Sequence, residues 1–415
     1  MERVAIEQVY RTDYGRIVAR LIYLLGDFEL AEEAAAEAFK AALEQWGRDG
    51  IPANPRAWII ATARHQAIDR LRRRVSFDAR RDELLHFVEN RMADSEPEAD
   101  GAVRDERLRL IFTCCHPALA LEAQVALSLR TLCGLSTDEI ARAFLIPATT
   151  MAQRLVRAQR KIRAARIPYE VPSSDHLAER LEAVLTVIYL VFNEGYAATA
   201  GDPLVRKDLC AEAIRLGRIV LELMPGDAET AGLLALMLLH DARRETRLDA
   251  AGEVVLLEDQ DRERWDRVQI AEGLRLVEMA LRGGPAGPYA VQAAIAATHA
   301  RARRAADTDW REIAALYDYL LTQQPSPVIA LNRAVAVAMA FGPEPGLALI
   351  ATIEAQGELS NYYLLPAARA DLLRRMARWR EAADAYRAAL ALVKGNPERR
   401  FLERRLAEAE ALRDS

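Results

Sequence analysis

Pro147 divides the most constraining stretch of the chain, which runs from Gly134 to Ala165. Before it, Ser136 stands three residues ahead of Glu139, the spacing of a capping box. Ile140, Ala141 and Phe144 then fall on one helical face. Pro147 disfavours helix at Ile146 and so ends that helix. Beyond it, Thr149 or Thr150 can cap a second helix, along which Met151, Leu155, Ala158 and Ile162 make an apolar stripe. Arg154, Arg157 and Lys161 line another face, and residues 152–166 hold six basic residues and no acid. Two helices joined by a turn of three or four residues, the second one basic, read as a helix-turn-helix. Its second helix would turn its N-terminus to base edges and its arginines to phosphates. A helical hairpin with a solvated basic face is the rival reading. The capping box, the proline-broken turn and the acid-free second helix together favour DNA binding.

The whole chain has 415 residues, enough for two to four domains, and carries a formal net charge of -5. That charge is uneven. Residues 51–74 carry six arginines against Asp69 alone, whereas residues 75–105 carry four arginines against nine acids. Local charge is what meets phosphate, so the acidic total does not exclude DNA. Ala, Leu, Arg and Glu dominate and β-branched runs are scarce, so the composition predicts helix throughout. No run of 18 apolar residues appears and the N-terminus lacks a signal-peptide core, which predicts a cytoplasmic protein with no membrane partner. Cys114, Cys115, Cys133 and Cys210 show no spaced pairs, which points to buried thiols in a reducing compartment rather than to metal.

The N-terminal segment narrows the choice among DNA-binding proteins. Residues 26–46 read as an acidic amphipathic helix with Leu30, Ala34, Phe39 and Trp46 available for packing. A loop, 47–55, leads into residues 56–74, with Trp58, Ile59, Ala63, Ala67 and Leu71 as its apolar stripe and a basic end. Taken in order, these segments and the helix-turn-helix resemble an extracytoplasmic-function (ECF) sigma factor of bacterial RNA polymerase. Residues 31–39 resemble region 2.2, residues 55–73 resemble regions 2.3 and 2.4, and residues 134–163 resemble region 4.2.

The resemblance implies core RNA polymerase and promoter DNA as partners. It places polymerase binding on Glu32, Glu33, Glu37 and Phe39. It places the −10 element on Trp58, Arg64, His65, Arg70, Arg72 and Arg73, with a flipped base in the loop 47–54. It places the −35 element on Thr149, Thr150, Gln153, Arg154, Arg157 and Lys161. Trp58 also fits a core position beside Ile59 and Ala63. Three residues depart from the family pattern: Ala36 stands where Gln is usual, His65 where Asn is common, and Ala152 where Lys is frequent.

The remaining 247 residues, 169–415, exceed what such a factor needs. Ala336, Ala348 and Ala355 sit 34 residues before Ala370, Ala382 and Ala389, the tetratricopeptide (TPR) period. Ala213, Val220 and Pro225 suggest a further copy, and Tyr386 joins the packing set. Small residues at this period let paired helices approach and stack into a superhelix. The strings around them resemble the ECF subgroup with a long TPR-like extension. Asn193, Glu194, Tyr196, Arg243, Asp261, Trp265 and Asn332 either line a groove for a small molecule or a protein, or fix helices to one another.

The expected architecture is all-α. A region 2 domain spans 1–75, an acidic flexible linker 76–105, a region 4 helix-turn-helix domain 106–168, and a TPR-like regulatory extension 169–415. No nucleophile–base constellation, phosphate loop or metal triad appears, so neither enzyme activity nor a cofactor is expected. The expected function is promoter recognition and transcription initiation, with the extension acting in cis. The alternatives are a ligand-responsive helix-turn-helix regulator that acts without replacing sigma, and a TPR scaffold that has lost transcription.

Overall fold

A computed structural model describes residues 2–73, 100–144, 146–197, 203–249, 252–393 and 396–413. Every element among them is helical, apart from one isolated antiparallel bridge between Leu248 and Val254. No helix among the described residues is long and apolar enough to cross a membrane. Contacts divide the chain into two compact units. The first holds everything to Gly195 and the helix Pro203–Leu223; the second holds Tyr196 and the chain from Met224.

The first unit begins with α1 (Glu2–Leu25), α2 (Phe28–Asp49) and α3 (Pro55–Arg73), each packed on the other two. Asp27 caps α2 by accepting from the Leu30 amide at 3.0 Å. The small residues Ala31, Ala34, Ala35, Ala38 and Ala42 form its buried stripe, with Phe39 and Trp46 completing it. Because α2 runs on to Asp49, the loop placed by sequence at 47–54 begins only at Gly50. Asn54 then caps α3 through the Ala57 amide at 3.1 Å.

The linker expected over 76–105 lies outside the described residues as far as 99. From Asp100 the chain is already helical, in α4 (Asp100–Cys114). Next come α5 (Leu121–Leu127), a π-helical turn at Ser128–Leu132, α6 (Thr137–Ala143) and α7 (Ala148–Ala164). The capping box forms as the sequence predicts: the Ser136 amide donates to Glu139 at 2.7 Å and the Glu139 amide to Ser136 Oγ at 3.2 Å. Met151, Leu155, Ala158 and Ile162 are buried on α7. Thr149 and Thr150 do not cap it. The helix starts at Ala148, so both fall inside its first turn.

Two further helices, α8 (Ser174–Ala197) and α9 (Pro203–Leu223), were expected to open the extension at 169, yet nearly all of both belongs to the first unit. The reason is packing: α9 lies on α4 and α6. Arg180 donates to the Phe112 carbonyl and Arg215 to the Leu132 carbonyl at 3.0 Å, so both helices satisfy orphan backbone acceptors of the preceding domain.

The second unit is built on α10 (Ala228–Asp241), which is buried continuously from Thr230 to Leu239. A helix apolar on all sides must be surrounded. Packed on it are α11 (Arg267–Leu281) and α12 (Pro288–Arg301). Gly232 permits the close approach of α12, since a Cβ there would stand 2.5 Å from the Ala290 nitrogen. Glu229 accepts from the Tyr289 and Ala290 amides, each at 3.0 Å, and so caps α12 from a neighbouring helix.

Helical hairpins follow: α13 (Trp310–Gln323) with α14 (Pro327–Phe341), α15 (Pro343–Gln356), α16 (Leu364–Arg375) with α17 (Trp379–Leu392), and α18 (Asn396–Arg413). Ala370, Ala382, Tyr386 and Ala389 share one core cluster, as the repeat pattern requires. The expected equivalents Ala348 and Ala355 do not: both are exposed, and Gly346, Ile350 and Ile353 pack instead. Pro343 and Trp379, which open equivalent helices, are 36 residues apart rather than 34. The repeat is therefore real, but its alanines align two residues out of the packing register.

Candidate functional site

The acidic helix α2 and the basic helix α7 meet each other within the first unit. Glu32 accepts hydrogen bonds from Thr131 Oγ1 at 3.1 Å and from Gln159 Nε2 at 3.2 Å. One turn earlier, Arg163 Nη2 lies 2.9 Å from Asp27 Oδ2 and 3.5 Å from Glu29 Oε2. Burial pushes the Glu32 carboxyl above its ordinary value of 4.5, and the Arg130 charge with the two hydrogen bonds opposes that shift.

Behind this contact the two domains are tied through α1. Tyr10 donates to the Gly134 carbonyl at 2.9 Å. Gly134 sits at φ +76 with the Tyr14 ring 3.0 Å from where a Cβ would be, so only glycine fits there. Gly15 faces the Leu132 carbonyl across a gap that leaves its own missing Cβ 2.5 Å away. Arg20 pairs with Glu106, and the Tyr169 hydroxyl lies 2.9 Å from the Ala19 carbonyl and 3.0 Å from that of Glu106.

The residues expected to bind polymerase have different surroundings. Glu33 is exposed, Glu37 is half-buried and Glu32 is enclosed by the helix-turn-helix domain. Phe39 is 6% exposed and packs edge-on against Tyr10, with ring centroids 5.1 Å apart. Among the −10 residues, Trp58 packs edge-on against Trp46 at 5.6 Å, which is its core alternative. His65 is exposed and Arg64 half-buried. Arg70, Arg72 and Arg73 lie on α3, but their side chains are outside the described residues. On α7, Thr149, Thr150, Gln153, Arg157 and Lys161 are exposed and Arg154 half-buried, so all six stand off the apolar stripe. Ala36 and Ala152, two of the departures, are exposed as well.

Sequence reasoning missed Thr131, Gln159 and Arg163 as partners of the acidic helix. A polar residue of α7 that faces another domain has the same helical spacing as one that faces solvent. The cysteines were read correctly as buried thiols: all four are enclosed, and none is in a disulfide. Burial raises Cys115 to about 11, with its sulfur 3.5 Å from Ser128 Oγ.

The groove residues proposed from sequence have different surroundings. Asn193 and Glu194 belong to the first unit, and Asn332 is exposed on α14. Asp261 accepts from the Glu263 amide at 3.0 Å as a cap. Trp265 is 4% exposed and donates to Thr246 at 3.0 Å. Tyr196 and Arg243 meet around His240. The His240 Nδ1 is 3.0 Å from Arg243 Nη2 and 3.3 Å from the Tyr196 hydroxyl.

Comparison with known proteins separates the sigma regions from the rest of the chain. Residues 9–77 match the family Sigma-70 region 2, and residues 109–162 match Sigma-70, region 4. Residues 180–281 match a family of unknown function (DUF6596). An uncharacterized protein of Rhizobium meliloti (strain 1021) is 47% identical over 389 residues, covering 93% of this chain and 91% of its own. No solved structure matches. Sigma regions 2 and 4 in the expected order, carried on one chain with a long helical extension, place this protein in the ECF-type sigma-70 family.

Proposed function

We propose that this sigma factor is held shut in the form described here and that its extension governs opening. The observation that carries the reading is Glu32. The residue that the family resemblance assigns to polymerase is engaged by Thr131 and Gln159 of the helix-turn-helix domain. Polymerase cannot take this face of α2 while α7 covers it. In the open form, α2 binds core polymerase through Glu32, Glu33 and Glu37, with Phe39 supporting the helix from below. The α3 face with Arg64 and His65 meets the −10 element, and Thr149, Thr150, Gln153, Arg154, Arg157 and Lys161 meet the −35 element.

Cis control is supported by α8 and α9. They connect directly to the extension, and through Arg180 and Arg215 they grip backbone of α4 and the π-helical turn. Movement of these helices would shift Thr131, which neighbours Leu132 in that same turn. The test is run-off transcription with core polymerase on the promoter upstream of the chain's own operon. Full-length protein is compared with Thr131→Val/Gln159→Ala. Higher output from the variant supports the reading; equal output from both sinks the closed form as a control.

A further inference from the structure

Three arginines of the second unit stand together without a counter-ion. Arg247 lies over the Tyr196 ring with its guanidinium carbon 3.8 Å from the centroid, and it donates to the Tyr196 carbonyl. Arg243 approaches the same ring at 5.9 Å and donates to His240 Nδ1. Arg262, 6% exposed, donates to the His299 and Ala302 carbonyls at 2.6 and 2.8 Å, closing the C-terminus of α12. Arginines this enclosed are ordinarily paired with carboxylates. Here no carboxylate among the described residues lies within ion-pair distance of any of the three.

The acids nearby are committed elsewhere. Asp241 pairs with Arg244, Asp307 with Arg304, and Glu312 accepts from Thr298. Two buried atoms are also unpartnered: Arg262 Nε and His299 Nδ1. Burial and the charges of Arg243 and Arg262 lower His299 to about 4, and burial with the charges of Arg243 and Arg247 holds His240 well below its ordinary value. Both imidazoles are therefore neutral near pH 7, and Arg243 acts on each of them. Asp307 acts on Arg262 from beyond ion-pair distance, but no carboxylate among the described residues pairs directly with Arg243, Arg247 or Arg262, so the cluster stays cationic.

We infer that the cluster of His240, Arg243, Arg247, Arg262 and His299 beside Tyr196 is a binding site for a small oxyanion bearing a carboxylate or phosphate group. Guanidinium forks bind both groups with paired hydrogen bonds. Arg243, Arg247 and His240 are largely enclosed but each keeps some exposed surface, through which such a group can reach them. The ligand supplies the missing charge and links the end of α10 to α12 through Arg243 and Arg262. This places a chemical sensor in the extension, independent of whether the first unit opens as proposed above.

The test uses full-length protein in inorganic phosphate, in succinate and in chloride at equal ionic strength. One of the two oxyanions is expected to raise Tm over chloride by roughly 2–4 °C. The responding arm tells a phosphate ligand from a carboxylate one. Arg243→Gln/Arg247→Gln should lose the shift, and Arg282→Gln, which alters an exposed arginine, should keep it. A measurement on the unaltered protein covers the case of a misfolded variant. Bound oxyanion should protect Arg243 and Arg247, but not Arg282, from phenylglyoxal, as read by peptide mass. No Tm shift over chloride in either oxyanion, or no protection in the one that responds, overturns the site.

Discussion

Glu32 on α2 accepts a hydrogen bond from Gln159 on α7 at 3.2 Å, across 127 residues of chain. The bond joins the helix proposed above for polymerase binding to the second helix of the helix-turn-helix. Glu32 is occupied while it lasts, whereas Thr149, Thr150, Gln153, Arg157 and Lys161 on α7 stay exposed. Hydrogen bonds to a charged acceptor contribute about 1.5–3 kcal/mol when buried, and less where water competes. Removing Gln159 and the Thr131 hydroxyl together should raise affinity for core polymerase by roughly 3–30-fold, measured by fluorescence anisotropy of labelled protein. Unchanged affinity would show that the contact does not limit binding.

Acidity should tighten the closed form. The Glu32 carboxyl is raised above 4.5 by burial, so the closed state takes up a proton more readily than the open one. As pH falls through the raised value toward 4.5, closure is favoured; above that window the charged carboxylate costs the closed state its burial penalty. Protection of α2 amides, corrected for the intrinsic pH dependence of exchange, should therefore rise on acidification, and Glu32→Gln should remove that rise. Identical pH profiles in the two proteins would refute this role for Glu32.

The second unit should respond to acid in the opposite sense. His299 is depressed to about 4 and His240 lies below the ordinary histidine value of 6.5, so the unfolded chain binds protons that the folded unit refuses. Stability is retained above 6.5 and declines as pH falls from 6.5 toward 4. The slope is about 1.4 kcal/mol per pH unit for each histidine. Urea melts across this range should show it, and His299→Gln should make the slope shallower.

Arg157 is exposed on α7. Arg157→Ala should weaken holoenzyme on promoters with a −35 element and reduce the salt dependence of binding by about one charge. A fall in affinity with no change in salt slope would argue for a base contact instead.

Gly232→Ala places a methyl group 2.5 Å from the Ala290 nitrogen, where the backbones of α10 and α12 touch. Overpacking of this kind costs about 1–3 kcal/mol. Denaturant unfolding should register that loss without a change in promoter preference.

Much of this was legible in the chain. Helix over nearly all its length, the capping box at Ser136 and the buried stripe from Met151 to Ile162 follow from local spacing, and local spacing is what sequence displays. The match of Ala370, Ala382 and Ala389 to a packed core was legible for the same reason. The register of the preceding repeat was not. A two-residue difference between helix starts moves Ala348 and Ala355 out to solvent, and sequence period alone cannot say which small residues pack. The engagement of Glu32 was hidden too, since Thr131 and Gln159 carry no mark of a partner some hundred residues away. The packing of α8 and α9 within the first unit was not legible, because Arg180 and Arg215 use their guanidinium groups on backbone carbonyls. Such contacts leave no complementary charge in the sequence to find.

The hairpins of the second unit differ from an open stack in how they finish. Arg375 on α16 reaches Glu258 at 2.7 Å, while Arg400 and Arg404 on α18 reach Gly252 and Glu253. In a repeat array each module leans only on its neighbours, so the last one frays first and the rest persist. Here the tail is buttoned to a loop more than a hundred residues upstream. Fraying at the tail must first undo those clasps, so the extension should respond to heat or ligand as a single block. A signal received at one point would then be felt along the whole of it.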